Sequence, residues 1–293
     1  MLPSELIKKL RKIEITTRKA VDETLSGQYH SVFKGRGMTF EEVRQYQPGD
    51  DIRTIDWNVT ARMDEAYVKV FTEERELTVM LLVDMSASQE FGTVPKSKAE
   101  IAAEVAGLLA FSAISNSDRV GLVLFTDRIE LFVPPKKGRK HVMRLITDIL
   151  TFEPKGRGTD MKLALETLIR VQKKTAVTFL ISDFIAENYE EPLRIAARKH
   201  DLIPIVLSDP MESVLPDLGL AMVENPETGE RLLLDTSSGA VREYFERTVR
   251  TRREAEDKTF KKLSMDFVRL SSATDFVKPL TGFFRARASR QAK

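Results

Sequence analysis

The apolar positions of this chain change period twice. From Ser4 to about Leu25, the residues Leu6, Ile7, Leu10, Ile13 and Val21 recur at helical spacing. Pro3 with Ser4 suits a helix start, so a helix is predicted within residues 1–26. Residues 27–76 hold no long helical period. Glycine, aromatics and paired charges dominate, and Gln47-Pro48-Gly49-Asp50 carries the proline-glycine pair of a type II turn. A small β-rich segment of short strands and loops is expected there. From Leu77 onward, unbroken apolar runs alternate with amphipathic stretches.

The runs Leu77–Val83, Arg119–Thr126, Ala176–Ile181 and Leu202–Leu207 read as strands buried on both faces, as in a parallel sheet. Ile129–Val133 reads as a hairpin partner of the second run. Pro134-Pro135 should end it, because proline lacks the amide a ladder needs. Helices are predicted over about 96–116, 139–150, from the loop 154–160 to Arg170, and 190–199. Leu220–Val223 and Arg231–Leu234 flank Asn225-Pro-Glu-Thr-Gly229, a hairpin signal. Val241 to Leu263 is a long amphipathic helix, with Val241, Tyr244, Phe245, Val249, Phe260 and Leu263 on its apolar stripe and interleaved charges outside. A strand near Phe267–Leu270 and a short helix after Asp275 follow. Strand alternating with helix implies an α/β fold with a doubly wound, mostly parallel sheet. That domain is expected to span residues 77–286, with a tail at 287–293.

Composition narrows the class. The chain has 293 residues, 42% of them hydrophobic, enough for a sizeable core. Charged residues make up 31% but the net charge is only +2, which argues against a nucleic-acid binder driven by bulk charge. With no cysteine, disulfides, thiolate zinc sites and cysteine nucleophiles are excluded. His30, His141 and His200 show no ligand spacing. Neither a signal-peptide core near Met1 nor a run approaching the roughly 18 apolar residues of a membrane span is seen. The expectation is a soluble cytoplasmic protein without an integral membrane span.

The chemistry lies at predicted strand ends, where open α/β sheets bind ligands. Asp84-Met-Ser-Ala-Ser88 follows the first run, Thr159 sits in Gly156-Arg-Gly-Thr-Asp160, and Asp183 ends the third run. Asp84, Ser86, Ser88, Thr159 and Asp183 are all oxygen donors and together suit a small hard cation, Mg²⁺ above all, with Mn²⁺ or Ca²⁺ as alternatives. Taken singly, each is equally a turn residue or a helix cap. With only two carboxylates, a bound ion keeps positive charge and should seek a further anion, such as a carboxylate from another protein. Asp84 is expected in a loop above the sheet rather than in its core. An enzymatic alternative is an Mg²⁺-dependent phosphohydrolase using Asp84 as nucleophile. Against it, Ser86 stands where such hydrolases place a second aspartate. The sequence also offers no evident lysine or arginine clamp beside the site except Arg157. No Gly-x-x-x-x-Gly-Lys-Ser/Thr loop is found, so ATP hydrolysis by this chain is not expected.

The order Asp-x-Ser-x-Ser, a later threonine in a glycine-rich loop and a later strand-end aspartate resembles the metal-ion-dependent adhesion site of von Willebrand factor A domains. By that resemblance the five residues hold Mg²⁺, the serines and sometimes Thr159 directly and the aspartates often through water. Upstream, Gly35-Arg-Gly37, Arg44-x-Tyr46-x-Pro48-Gly-Asp-Asp51-x-Arg53-x-Ile-Asp56-Trp57, Thr60-Ala-Arg62 and Glu74-Arg-Glu76 resemble domain-of-unknown-function family fifty-eight. This bacterial, von Willebrand A-like family is associated with MoxR-type AAA+ ATPases. The resemblance implies a von Willebrand A-type, Rossmann-like fold and a protein-binding adaptor or co-chaperone, not an enzyme, with a MoxR-type ATPase as partner. Many of its longer members carry N-terminal membrane helices. Asp50, Asp51 and Asp56 lie near Arg44, Arg53 and Arg62, which reads as a salt-bridge network with Trp57 buried on the core. The other reading makes Arg44, Tyr46, Asp51, Arg53 and Trp57, together with Arg157, a partner-binding surface.

Overall fold

The computed structural model describes residues 37–63, 65–74, 76–90, 92 and 96–291, together with helical positions at 8, 10, 11, 13–16 and 32. It divides into two compact units, residues 33–77 and the remainder. The predicted tract 1–26 is helical at its described positions, and Leu10 and Ile13 are buried.

The unit of residues 33–77 pairs β1 (Gly37–Gln45) antiparallel with β2 (Tyr67–Glu74). Between them the chain forms a short helix, α1 (Trp57–Met63), where only strands and loops were expected. Asp56 starts this helix, its carboxylate accepting from the amides of Asn58 and Val59 at 3.0 and 3.3 Å. The expected network forms only in part. Arg44 grips Asp50 in a two-pronged pair at 2.7 and 2.8 Å. Asp51 instead caps a turn by accepting from the Arg53 amide, and Asp56 meets Lys69 at 3.4 Å rather than an arginine. Trp57 is 69% exposed and is not a buried anchor. Asp51 and Asp56 accept from nearby backbone amides, which cost less chain entropy to reach than distant guanidinium groups.

In the larger unit a six-stranded sheet is built from β3 (Thr78–Asp84), β4 (Arg119–Phe125), β5 (Ile129–Lys136), β6 (Val177–Ser182), β7 (Asp201–Ser208) and β10 (Val268–Ser271). Its order is β10-β7-β6-β3-β4-β5, parallel throughout except for the antiparallel edge strand β5. The fold is therefore α/β with a mixed, mostly parallel sheet. Helices α2 (Lys98–Ser115), α3 (Arg139–Thr151), α4 (Met161–Val171), α5 (Glu190–Lys199), α6 (Gly239–Lys262) and α7 (Val277–Gln291) accompany it. Met80 and Leu82 of β3 pack with Leu165 and Leu168 of α4, Leu193 of α5 and Phe260 of α6 in one core layer. On β6, Phe179 meets Phe284 of α7 edge-on, with ring centres 6.5 Å apart. Both faces of the central strands are thus covered, as their unbroken apolar runs require.

Three expectations are corrected here. Pro134 and Pro135 do not end β5; the strand runs on to Lys136. As an edge strand it needs no amide on its outer side, and a register irregularity opposite Gly121 accommodates the prolines. A side chain at Gly121 would collide with Met80 Sδ and Pro135, so glycine is needed there. On α6 only Val249, Glu256 and Phe260 are buried, and Tyr244 is 64% exposed, so the core covers only part of the predicted apolar stripe. The helix after Asp275 is not short. α7 continues to Gln291, across the boundary set for a tail at 287. A separate hairpin, β8 (Leu220–Glu224) with β9 (Arg231–Asp235), confirms the turn-rich signal between them.

Candidate functional site

Three connections come together at the carboxyl ends of β3, β4 and β6. The first begins at Asp84, which is the last residue of β3 and 1% exposed, not part of a loop above the sheet. Its Oδ1 accepts from the Ser86 amide at 2.9 Å, a tight Asx turn that brings Ser86 back beneath the strand end. Its Oδ2 accepts from the Ser182 hydroxyl at 2.6 Å, which ties β3 to β6. Ser86 Oγ lies 3.0 Å from Ser88 Oγ, and the Ser88 hydroxyl donates to Asp183 Oδ2 at 2.8 Å. Asp84, Ser86, Ser88 and Asp183 therefore form one continuous buried oxygen cluster.

Asp183 reaches the cluster because the chain turns sharply after β6. Phe184 has φ of +59°, a left-handed conformation unusual for a non-glycine residue. The aromatic packing of its ring against Phe260, 5.3 Å between centres at 82°, holds it there. The turn also lets Ser182 Oγ accept from the Phe184 amide and Asp183 Oδ1 accept from the Ile185 amide.

The glycine-rich loop comes in from the β4 side. Glu130 collects it: its Oε1 accepts from the amides of Lys155 and Gly156 and from the Thr126 hydroxyl, at 3.0, 2.7 and 2.8 Å. A Cβ at Gly156 would collide with Thr126 Oγ1 and Asp127 Oδ1. The Ala87 amide then donates to the Arg157 carbonyl at 2.9 Å, joining the serine turn to the loop and bringing Thr159 to its rim. Thr159 does not bond to the other four residues. Its hydroxyl donates to Glu227 Oε1 at 2.8 Å, from the tip of the β8–β9 hairpin, while Arg157 Nη2 donates to the Pro226 carbonyl at 2.9 Å. Arg157 thus holds a piece of its own chain.

Four participants escaped the sequence reading: Ser182, Lys98, Glu212 and Glu227. Lys98 corrects the view that only Arg157 offered positive charge. Its ammonium is 1% exposed at the first turn of α2, donates to Asp183 Oδ2 at 2.6 Å and also pairs with Glu212. Burial opposes its charge, but Asp183 and Glu212 outweigh that and hold its pKa above the ordinary lysine value. The only sequence signal was a lysine at the start of an otherwise apolar helix, and its partners are 85 and 114 residues away. Glu212 reaches it from the turn after β7, fixed by a capping box with Asp209.

Charge decides what this site can hold. Asp84, Asp183, Glu212 and Glu227 bring four carboxylates, against one buried ammonium. Burial first, and the neighbouring Asp183 charge second, raise the Asp84 carboxyl to about 7. Burial likewise raises Glu227, helped by Asp183 and opposed by Thr159 and Lys98. Such a cluster gains from a further cation. Among the described residues, no three Asp, Glu, His or Cys side chains come together as a set able to hold a metal. A metal here would depend on the hydroxyls of Ser86, Ser88 and Thr159, a donor set that suits Mg²⁺. The oxygens at hand fit that ion. Arg44, Tyr46, Asp51, Arg53 and Trp57 lie in the other unit; Asp51, Arg53 and Trp57 are exposed and Arg44 is engaged by Asp50.

An α/β sheet with an oxygen-rich cluster at its strand ends defines the class of protein. The chain belongs to the family described as "Protein of unknown function DUF58", whose model matches residues 42–255. It is 31% identical over 283 residues to the uncharacterized protein Rv1480 of Mycobacterium tuberculosis, covering 95% of this chain and 88% of that one. It is 22% identical over 182 residues to the uncharacterized protein YeaD of Bacillus subtilis, covering 62% of this chain and 43% of that one. Solved structures of similar fold include the hypothetical protein BatB of Bacteroides thetaiotaomicron, at 14% identity and a TM-score of 0.47 over 73% of this chain and 99% of that one. The VWA domain of SpRpn10 is another, at 12% identity and a TM-score of 0.39 over 70% of this chain and 93% of that one. Among the described residues, no helix is long and apolar enough to cross a membrane.

Proposed function

We propose that this protein is a binding module whose Asp84, Ser86, Ser88, Thr159 and Asp183 hold Mg²⁺ and use it to grip a carboxylate of a partner protein. The observation that carries the reading is the buried hydrogen-bonded chain from Asp84, through the Ser86 amide and the hydroxyls of Ser86 and Ser88, to Asp183 at the ends of two adjacent parallel strands. When bound, the metal supplies an electrophilic centre for a carboxylate oxygen. The chain's own residues do the rest. Asp84 and Ser182 fix the two strand ends together, Glu130 fixes the height of the glycine-rich loop, and Lys98 neutralises one oxygen of Asp183 so that the cluster retains a limited negative charge. The family resemblance supplies the partner class, a MoxR-type AAA+ ATPase that this chain would serve as a cytoplasmic adaptor or co-chaperone.

We do not adopt the phosphohydrolase alternative. Ser86 stands two residues after Asp84, where such hydrolases place a second aspartate, and Asp84 is held against the Ser86 amide and the Ser182 hydroxyl at a buried strand end. The test is a calorimetric Mg²⁺ titration of the whole chain beside Asp84→Asn, which keeps the volume that Ser182 packs against. Saturable binding in the parent, weakened at least about tenfold in the variant with an unchanged circular dichroism spectrum, is the expected result. Equal Mg²⁺ affinity in both proteins would remove Asp84 from the site and end the proposal.

A further inference from the structure

The tip of the β8–β9 hairpin is built to present one side chain. Asn225 closes the turn, its side-chain oxygen accepting from the Glu227 amide at 2.9 Å and its carbonyl from the Gly229 amide at 2.8 Å. Gly229 takes φ of +72°, where a side chain would be strained. This turn directs Glu227 onto Thr159, while Arg157 holds the neighbouring Pro226 carbonyl. The two residues of the glycine-rich loop thus grip the tip at adjacent points. The strands behind the tip do not pin it by packing: Leu220, Met222, Leu232 and Leu233 are 57–71% exposed. Glu227, partly buried, lines a cleft with Thr159, Lys162 and Asn188.

We infer that Glu227 is the chain's own carboxylate for the candidate metal site, a latch that a partner's carboxylate must displace. This rests on the Mg²⁺ reading above and goes beyond it by naming the competitor. The argument is one of chemistry and position. Glu227 is a carboxylate already bonded to Thr159 at the rim of the oxygen cluster, so a cation held by that cluster would meet a further anion there. Carried on a tethered hairpin, it faces the site at an effective concentration on the order of millimolar or higher. A carboxylate from outside therefore binds only the fraction of molecules in which the tip has swung away, and its apparent affinity falls by that fraction.

The probes are Mn²⁺ alone and, at saturating Mn²⁺, [¹³C]acetate, whose carboxyl line broadens when it reaches the paramagnetic ion. The proteins are the full chain, Glu227→Gln and Asp84→Asn. Glutamine keeps the size of Glu227 and still accepts from Thr159 at a surface turn, so the fold is retained. In Glu227→Gln, acetate should bind at least tenfold more tightly than in the parent. Backbone hydrogen exchange over residues 225–230 should slow when Mn²⁺-free parent protein receives Mg²⁺ and stay unchanged in the variant. Equal acetate affinity in Mn²⁺-loaded parent and Glu227→Gln would overturn the latch while leaving the metal site standing. No Mn²⁺ binding by either protein would overturn the metal site itself, and the latch with it.

Discussion

Lys98 is the residue that most changes how the site works. A buried ammonium between two carboxylates is stable only while both partners remain, since removing one side of such a pair leaves an uncompensated charge in a low-dielectric setting. Lys98→Met keeps the length and apolar stem but deletes the charge, leaving Asp183 and Glu212 facing each other. In metal-free buffer this variant should lose about 3–5 kcal/mol of stability in urea unfolding. Saturating Mg²⁺ should return part of that loss, because a cation at the cluster supplies the missing positive charge. A variant as stable as the parent without Mg²⁺ would show that Asp183 and Glu212 need no ammonium. At the same scale, Asp84, Ser86, Ser88 and Asp183 were visible in the sequence as oxygen donors at strand ends. Ser182 was not singled out, since a serine inside an apolar strand carries no mark of bonding a carboxylate 98 residues away.

At the scale of elements, the glycine-rich loop is positioned by what it cannot contain. Thr126 is fully buried and its hydroxyl is committed to Glu130, so it has no room to retreat from a methyl group at Gly156. Gly156→Ala should destabilise the protein by about 1–3 kcal/mol, the usual cost of overpacking a tight site. It should also weaken Mg²⁺ binding, because a displaced loop carries the Arg157 carbonyl and Thr159 with it. Denaturant unfolding and a Mg²⁺ titration on the same sample check both; a loss of stability with unchanged Mg²⁺ affinity would uncouple the loop from the site. The β8–β9 hairpin makes a complementary point. Alternation and a turn-rich loop predicted its two strands, but no pattern within ten residues says whether anything covers them. The structure leaves apolar side chains exposed on both of its faces. β5 shows the reverse: a rule about proline failed because the rule applies to interior strands, and edge position is a property of the sheet, not of the segment.

For the whole molecule, the two units differ in what holds them. The larger contains the sheet and a core in which β3, β4 and β6 are buried along nearly their full length. Among the described residues of the 33–77 unit, only Val68 is a buried hydrophobic side chain, while Ile52, Trp57 and Met63 are exposed. A chain so short, with so little apolar surface removed from water among its described residues, falls below what a self-sufficient core requires. A peptide of residues 33–77 should therefore show no cooperative thermal transition by circular dichroism. A sharp transition with dispersed amide resonances would make it an autonomous domain.

Sequence alone determined the alternation of strands and helices, the parallel character of the sheet and the identity of four of the oxygens that meet. Those properties are written in local periodicity and in residue type at strand ends, where the backbone itself dictates direction and burial. The tertiary structure alone decided that Asp84 is inside the sheet rather than above it, and that Trp57 faces solvent. It also decided that a lysine from α2, a glutamate from the turn after β7 and a glutamate from a distant hairpin converge on the same cluster. The physical reason is common to all of these. Charge pairing and displacement act over a few ångströms in space between residues separated by tens to more than a hundred positions in the chain. Only the packing of helices on the sheet sets those distances.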